Sequence, residues 1–212
     1  MIDVERAKRL QKLLGEKALR ELDKYPDIDL SELTYVSGVD ASYFKNEVIG
    51  VAVLLDARSL KLVTYSTSKK TPQIPYIPGL LAFREAPALI SALIKLPEKP
   101  DLIVVDGHGL SHPRAFGIAT HIGLVLKTAS IGVAKKPLYG EVKLIEGREL
   151  IVAHGRRVGA LIEHDGTRLY VSIGYGVSLM SAVKLIERML KPGVKLPLPT
   201  HEADIISKKL SP

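Results

Sequence analysis

The chain has 212 residues, 46% of them hydrophobic, and a formal net charge of +7 at pH 7. This length and apolar content predict one domain over residues 1–212, and the lack of cysteine excludes disulfides, thiolate nucleophiles and cysteine-ligated zinc. No apolar run reaches the roughly 18 residues of a membrane span, and the amino terminus lacks the layout of a signal peptide, so we expect a cytoplasmic protein without membrane contact. The positive charge is typical of proteins that bind polyanions, nucleic acid above all, and also of basic proteins in general.

The amino-terminal part of the chain predicts a helix followed by three strands. Apolar residues recur at helical spacing from about Val4 to Tyr25. Three strand-like segments follow, at 35–40, 48–55 and 60–65. Because their connections are short and polar, they predict an antiparallel meander. A proline-rich loop at 72–78 ends this part.

The rest of the chain alternates helices and strands. The predicted elements are a helix at 83–96 interrupted early by Pro87, a strand at 101–105, a helix from about Pro113, strands at 128–134, 150–153, 157–163 and 168–173, a helix at 178–190 with Ser178 as its N-cap, and a last helix from about Thr200. This order predicts an α/β fold in which helices flank a mixed central sheet, made of a three-strand antiparallel meander plus parallel strands. The same order of elements occurs in ribonuclease H-like folds.

The segment that begins at Asp106 has the most distinctive chemistry. It follows the apolar run 102–105, which predicts a buried strand, so Asp106 marks the point where a strand leaves the core. Two of the next three residues are glycines, which let the backbone approach a ligand closely. His112 and Arg114 add a titratable group and a cation. A carboxylate in this setting suits a metal ion that handles phosphate.

Three more carboxylates stand at positions of interest. Asp40 lies within a predicted buried strand, where a charge is costly unless something compensates it. Glu85 follows the proline loop at a helix start, and Asp204 follows Thr200, a candidate N-cap; taken singly, both also fit capping or helix-dipole roles. In a ribonuclease H-like topology the four acids would converge at one end of the sheet, where their oxygens can hold one or two Mg²⁺ or Mn²⁺ ions for phosphodiester cleavage.

Two basic residues and a stiff loop each have two interpretations. Lys135 follows a predicted strand and is either a solvated lysine or a cation beside the attacked phosphate. His112 is either a loop histidine with satisfied hydrogen bonds or a contact to phosphate or metal-bound water. The prolines of segment 75–78 fix the backbone around Tyr76 and Ile77. This segment is either a packed turn or a rigid apolar wedge that parts bases.

The chain resembles the endonuclease V family, inosine-directed DNA repair nucleases with a ribonuclease H-like fold. The resemblance runs in order from about Val4 to Leu210. No single motif decides it, but five motifs in the right order are highly specific. The matching segments are 75–85, 106–114, 117–123, 132–135 and 203–204, and segment 38–43 also fits.

The resemblance implies a deoxyinosine-directed endonuclease that cuts the second phosphodiester bond on the 3′ side, leaves 3′-hydroxyl and 5′-phosphate ends, and needs Mg²⁺ or Mn²⁺. Its partner would be inosine-containing DNA, and we expect a monomer. The implied metal ligands are Asp40, Glu85, Asp106 and Asp204, with His112 and Lys135 acting at the phosphate and water. The implied wedge consists of Pro75, Tyr76, Ile77 and Pro78, and the implied hypoxanthine pocket of Gly79, Leu81, Gly107, Gly109, Ile118 and Gly132.

The chain departs from the family pattern at Tyr175, where many relatives carry histidine, and over 136–168, from which no role is carried over. The match near Asp204 leaves His201 and Glu202 without a role. Two alternatives stay open. One is another enzyme of the same fold, an inosine-specific endoribonuclease or a junction resolvase, since recognition of a 2′-hydroxyl depends on three-dimensional contacts. The other is a non-catalytic interaction module that kept the fold, against which the presence of all four acids argues.

Overall fold

The computed structural model of the protein describes residues 3–210. The helices are α1 (Val4–Glu21), α2 (Leu81–Ile94), α3 (Ile118–Leu126), α4 (Leu179–Met189) and α5 (Leu198–Lys209). The strands are β1 (Tyr35–Phe44), β2 (Glu47–Asp56), β3 (Leu62–Lys70), β4 (Leu102–Asp106), β5 (Ala129–Ala134), β6 (Glu141–Ile145), β7 (Arg148–Ala153), β8 (Arg156–His164) and β9 (Thr167–Tyr175). Two 3₁₀ turns, Leu22–Lys24 and Leu30–Glu32, connect α1 to β1.

The strands form one mixed sheet in the order β3-β2-β1-β4-β5-β9-β8-β7-β6. β1, β2 and β3 make the antiparallel meander that the sequence predicts. β4 pairs in parallel with β1, and β5 pairs in parallel with β4. β9 pairs antiparallel with β5, and β8, β7 and β6 extend the sheet outward from β9, each antiparallel to the strand before it. Helices flank this sheet, which is the predicted architecture.

Two glycines let helices lie directly on the meander. A Cβ at Gly50 of β2 would come 2.5 Å from the Ala88 carbonyl carbon of α2. A Cβ at Gly38 of β1 would overlap the Pro199 carbonyl of α5. These close approaches hold α2 and α5 against β1 and β2, which are buried over residues 36–39 and 48–55 respectively. The helices that bear Glu85 and Asp204 are thereby fixed relative to the strand that bears Asp40.

Several predicted boundaries were wrong. α3 begins at Ile118 rather than near Pro113, because the chain before it folds into turns that bring Ala115 to a φ of +50°. Strand β6 was not predicted, since four of its five residues are exposed and it lacks a buried alternating face. Thr200 does not cap α5, which begins at Leu198; its hydroxyl donates to the Pro197 carbonyl at 3.0 Å. Ser178 does cap α4 as predicted, accepting from the Ser181 amide at 3.2 Å.

Among residues 3–210, no helix has both the length and the apolar character that crossing a membrane requires.

Candidate active site

The strand register places Asp40 and Asp106 side by side. The parallel pairing of β1 and β4 ends at Val39 opposite Val105, and the two aspartates are the next residue on each strand. Neighbouring strands lie about 4.8 Å apart, and successive side chains alternate between faces. Both carboxylates therefore point to the face opposite Val39 and Val105, which is the face that α5 covers at Gly38.

The other two acids reach the same end of the sheet from the flanking helices. Glu85 of α2 accepts a hydrogen bond from the Tyr43 hydroxyl of β1 at 2.6 Å. Asp204 of α5 pairs with Lys208 at 2.7 Å. One turn after Asp204, the Ser207 hydroxyl donates to the carboxylate of Asp40. The Tyr43 and Ser207 contacts therefore link β1 to α2 and to α5, and the Lys208 contact lies within α5.

The electrostatics of the acids show that they share one environment. Burial, with the negative charges of Asp40 and Asp106, raises the pKa of Glu85 to about 7, although the hydrogen bond from Tyr43 acts to lower it. Burial, with the charges of Asp40 and Asp204, raises the pKa of Asp106 to about 6. Burial also raises the pKa of Asp40, although the Ser207 hydrogen bond opposes this shift. Gathering these carboxylates is costly, and a nearby cation reduces such a cost.

The donor set fits a hard divalent cation. Carboxylate oxygens are the ligands that Mg²⁺ and Mn²⁺ prefer. A bound cation would favour the charged carboxylates and so lower the raised pKa values of Glu85 and Asp106. Within residues 3–210, however, no three Asp, Glu or His side chains already stand in a metal-holding arrangement. Asp40, Glu85 and Asp204 each accept a hydrogen bond from a protein donor, from Ser207, Tyr43 and Lys208 respectively.

Lys135 supplies positive charge beside the acids. It follows β5 directly, and Val133 of that strand pairs with Asp106. Its side chain is exposed, and its charge lowers the pKa of Asp106 against the effect of burial. The charge of Lys208 acts on Asp106 in the same direction. The site thus combines buried anions with cations at its rim.

The proline loop presents one exposed aromatic side chain. Tyr76 is 69% exposed, and Pro75 and Pro78 are exposed on either side of it. Ile77, which the wedge interpretation places beside Tyr76, is half-buried and packs against an apolar cluster that includes Leu80. Ile77 is therefore the anchor of the loop, and Tyr76 is its tip.

The sequence model of the family "Endonuclease V" matches residues 17–205. The chain is 58% identical over 207 residues to an endonuclease V of Desulfurococcus amylolyticus, and the match covers 97% of this chain and 94% of that protein. The chain belongs to the endonuclease V family. It is therefore a nuclease, a hydrolase that cuts the nucleic-acid backbone.

Solved structures of endonuclease V agree with this fold. The Streptomyces avermitilis enzyme is 34% identical and superposes with a TM-score of 0.85, over 99% of this chain and 93% of that chain. Endonuclease V of Ciona intestinalis is 26% identical, with a TM-score of 0.81 over 98% of this chain and 96% of that chain. That protein was crystallised with a DNA containing an inosine followed by a ribo-adenosine. These likenesses confirm the predicted ribonuclease H-like fold.

His112, which the resemblance to endonuclease V places at the phosphate, is buried with 4% exposure. Its Nε2 lies 3.1 Å from the Gly79 carbonyl, and since a carbonyl only accepts, Nε2 bears the hydrogen. Its Nδ1 accepts from the Arg114 amide at 3.1 Å. Burial, with the charge of Arg114, lowers the pKa of His112 to about 4, so the ring is neutral near pH 7. In this arrangement both ring nitrogens form hydrogen bonds with main-chain atoms, which favours the loop-histidine interpretation. A role at the phosphate stays a prediction.

Four of the predicted pocket residues lie together, in the loop after β4, at the start of α3 and on β5. A Cβ at Gly107 would lie 2.6 Å from the Ile118 Cγ2 atom, and one at Gly132 would lie 2.5 Å from the Gly107 carbonyl oxygen. Gly109 is buried against the Ile173 carbonyl of β9. Close packing therefore explains these glycines without reference to a base, and their contact with hypoxanthine stays a prediction.

The remaining predicted pocket residues, Gly79 and Leu81, lie just after the wedge segment 75–78. Gly79 has a φ of +78° and ends the loop, and Leu81 is the first residue of α2. The sequence did not single out Tyr43, Ser207 or Gln11, whose contacts hold the acids and the loop. Gln11 had a detectable signal, because it is a polar residue on the otherwise small and apolar buried stripe of α1.

Proposed function

We propose that the protein is a metal-dependent DNA repair endonuclease that recognises deoxyinosine. It hydrolyses the second phosphodiester bond on the 3′ side of the inosine and leaves 3′-hydroxyl and 5′-phosphate ends. The observation that supports this most is the placement of Asp40 beside Asp106, with Glu85 and Asp204 reaching the same sheet end from α2 and α5. The inosine-containing DNA bound by the Ciona intestinalis relative supports the choice of base. We further propose that the protein acts as a monomer in the cytoplasm.

The four acids would hold the cation, either Mg²⁺ or Mn²⁺. Once bound, such an ion supplies Lewis acidity and lowers the pKa of water for attack on a phosphate. The chain itself contributes the cations at the rim: Lys135, whose charge already acts on Asp106, stabilises the negative charge that develops on the phosphate.

The exposed loop would act on the base pairs. A base that turns out of the stack leaves a gap, and an apolar side chain that fills the gap offsets the cost of unstacking. Tyr76 is the exposed side chain available for this role, and two exposed prolines limit its freedom. The half-buried Ile77 keeps the loop on the protein surface.

The proposal is tested by mapping the cut on a duplex with one inosine. Purified protein is incubated with end-labelled strands, with Mg²⁺ or with EDTA, and the fragments are sized beside chemical ladders. We expect a single Mg²⁺-dependent nick at the second bond on the 3′ side. A nick elsewhere, or one that persists in EDTA, would contradict the proposal.

An inosine-directed ribonuclease is the second candidate, and one observation favours keeping it. The DNA bound by the Ciona intestinalis relative carries a ribo-adenosine directly after the inosine. Parallel single-turnover cleavage of matched DNA, RNA and single-ribonucleotide strands separates the two candidates. The DNA function predicts that the all-DNA duplex is cut at least as fast as the others.

A further inference from the structure

The base of the wedge loop is held by an unusual concentration of hydrogen-bond donors. The Gly79 carbonyl accepts from the Gln11 side chain at 3.0 Å, from the His112 ring at 3.1 Å and from the Arg114 guanidinium at 2.7 Å. A carbonyl oxygen has two lone pairs, so three donors more than saturate it. These donors come from α1 and from the loop after β4, two parts of the chain far from the wedge in sequence.

Gln11 lies at the centre of this arrangement. Its side chain is completely buried, on the stripe of α1 that also buries Ala7 and Gly15. Its amide nitrogen donates to the carbonyls of Gly79 and Phe116, both at 3.0 Å. Its amide oxygen accepts from Arg114 Nε at 2.6 Å. Because two carbonyls face the nitrogen and a guanidinium faces the oxygen, the orientation of the amide is fixed.

Arg114 completes the arrangement through its planar guanidinium group. Nε contacts Gln11 while Nη2 contacts Gly79, so one rigid group spans both partners. The approach is close, since a Cβ at Gly79 would lie 2.6 Å from Nη2. Lysine has a single ammonium on a flexible stem and does not reproduce two contacts in fixed directions.

We propose that Gln11 and Arg114 form a clamp that sets the position of the wedge relative to the four acids. Both are positioning residues, because they act on the loop and not on the reacting atoms. The inference rests on the proposed function and extends it to the amino-terminal helix: Gln11 lies before residue 17, where the match to the family begins. A loop fixed at its base loses little further freedom on binding DNA, which favours insertion of its tip.

The clamp is tested with Gln11→Met, which keeps the length of the side chain but removes its donors and acceptor, and with Arg114→Lys. The control is Gln73→Met, the same change at an exposed glutamine just before the wedge whose side chain contacts only the Thr71 carbonyl among the hydrogen bonds of the described residues. Each protein is assayed in single turnover on an inosine duplex and on the same inosine strand without its complement. Thermal melts fix an assay temperature at which every variant is folded.

A wedge is needed only where neighbouring base pairs must be parted. We therefore expect both clamp variants to cut the duplex about tenfold more slowly or worse, while cutting the single strand at close to the wild-type rate. Gln73→Met should match the wild type on both. A general folding defect would lower both rates together, and equal losses on the two substrates, or no loss on the duplex, would overturn the clamp. A wild-type protein that nicks neither substrate would instead overturn the proposed function.

A second readout is independent of cleavage. The fluorescence of 2-aminopurine placed beside the inosine rises when its stacking is broken, so binding of the wild-type protein in EDTA should brighten it. Gln11→Met and Arg114→Lys should brighten it less at saturating protein. Brightening equal to that of the wild type by both variants would show that the wedge is placed without the clamp.

Discussion

At the scale of single residues, the candidate site depends on two aspartates that neighbouring strands bring together. Asp40 and Asp106 each follow the last residue of the parallel pairing between β1 and β4. The sequence marks both as unusual, because each is a charge at or near a buried strand. The sequence does not show the register of β1 on β4, since the pairing of Val39 with Val105 is set by contacts between segments more than sixty residues apart. The partners Tyr43 and Ser207 were missed for the same reason.

Replacing either aspartate should abolish catalysis and spare binding. Asp40→Asn and Asp106→Asn each remove a negative ligand, and we expect single-turnover cleavage of an inosine duplex to fall by about 10³-fold or more. Binding, measured by fluorescence anisotropy, should change little because the backbone contacts remain. Asp56→Asn is the control: Asp56 also ends a strand, but it pairs with Tyr35 at the far end of β1. Cleavage at the wild-type rate by Asp40→Asn and Asp106→Asn would show that these two aspartates are not part of the active site.

The buried carboxylates also predict how stability depends on pH without metal. The pKa of Glu85 rises from 4.5 to about 7 and that of Asp106 from 3.8 to about 6 through burial and neighbouring charge. Between about pH 4 and 7 the folded protein therefore holds protons that the unfolded chain has released, and its stability falls as pH rises. Glu85→Gln should be more stable than the wild type at pH 8 by on the order of 1–2 kcal/mol.

The measurement is the melting temperature in EDTA from pH 4 to 8. Exposed Glu141→Gln serves as the control, since its carboxylate is at the surface. If Glu85→Gln and the wild type lose stability with pH in parallel, Glu85 is not the group that titrates.

At the scale of elements, the placement of α2 and α5 on the meander decides where Glu85 and Asp204 lie. The sequence predicts both helices and the meander, because helical spacing and short polar turns are local signals. It does not predict how closely they pack, which depends on Gly38 and Gly50 meeting helix backbone. The same limit explains the wrong start of α3, where a run of turns replaces the expected helix.

Adding one methyl group at Gly38 should disturb the site from a distance. The Cβ of Gly38→Ala would overlap the Pro199 carbonyl, which forces α5 away from β1. We expect a loss of about 1–3 kcal/mol in the free energy of unfolding, measured by urea denaturation, together with slower cleavage because Asp204 moves. Gly147→Ala is the control: no heavy atom lies within 4 Å of its Cβ, and it bears only the strain of a φ of +76°. A Gly38→Ala protein with wild-type stability and activity would show that α5 is free to shift.

At the scale of the whole molecule, the net positive charge suits a nucleic-acid partner, and several exposed lysines lie at the end of the sheet that bears the acids. Lys45, Lys69 and Lys70 are exposed at the end of the meander beyond Asp40. Lys135 lies at this end of the sheet too, because it directly follows the residues of β5 that pair with the end of β4. Composition predicts a polyanion as partner, but only the fold shows that lysines far apart in the chain lie at the same end of the sheet as the acids.

Lys69 and Lys70 should contact phosphates and not bases. The double change to alanine should weaken duplex binding with and without inosine alike, and should reduce the slope of log affinity against log salt by about two. Lys61 and Lys99, which precede β3 and β4 at the opposite end of the sheet, provide the matched double variant. An unchanged slope would place the DNA elsewhere on the surface.

The four acids together should capture a divalent cation. Titration of the metal-free protein with Mn²⁺, followed by electron paramagnetic resonance and by proton release near pH 6.5, tests it directly. We expect saturable binding of one or two ions with release of protons, and loss of that binding in Asp106→Asn. Undiminished Mn²⁺ binding by Asp106→Asn, or no binding by the wild type, would contradict it.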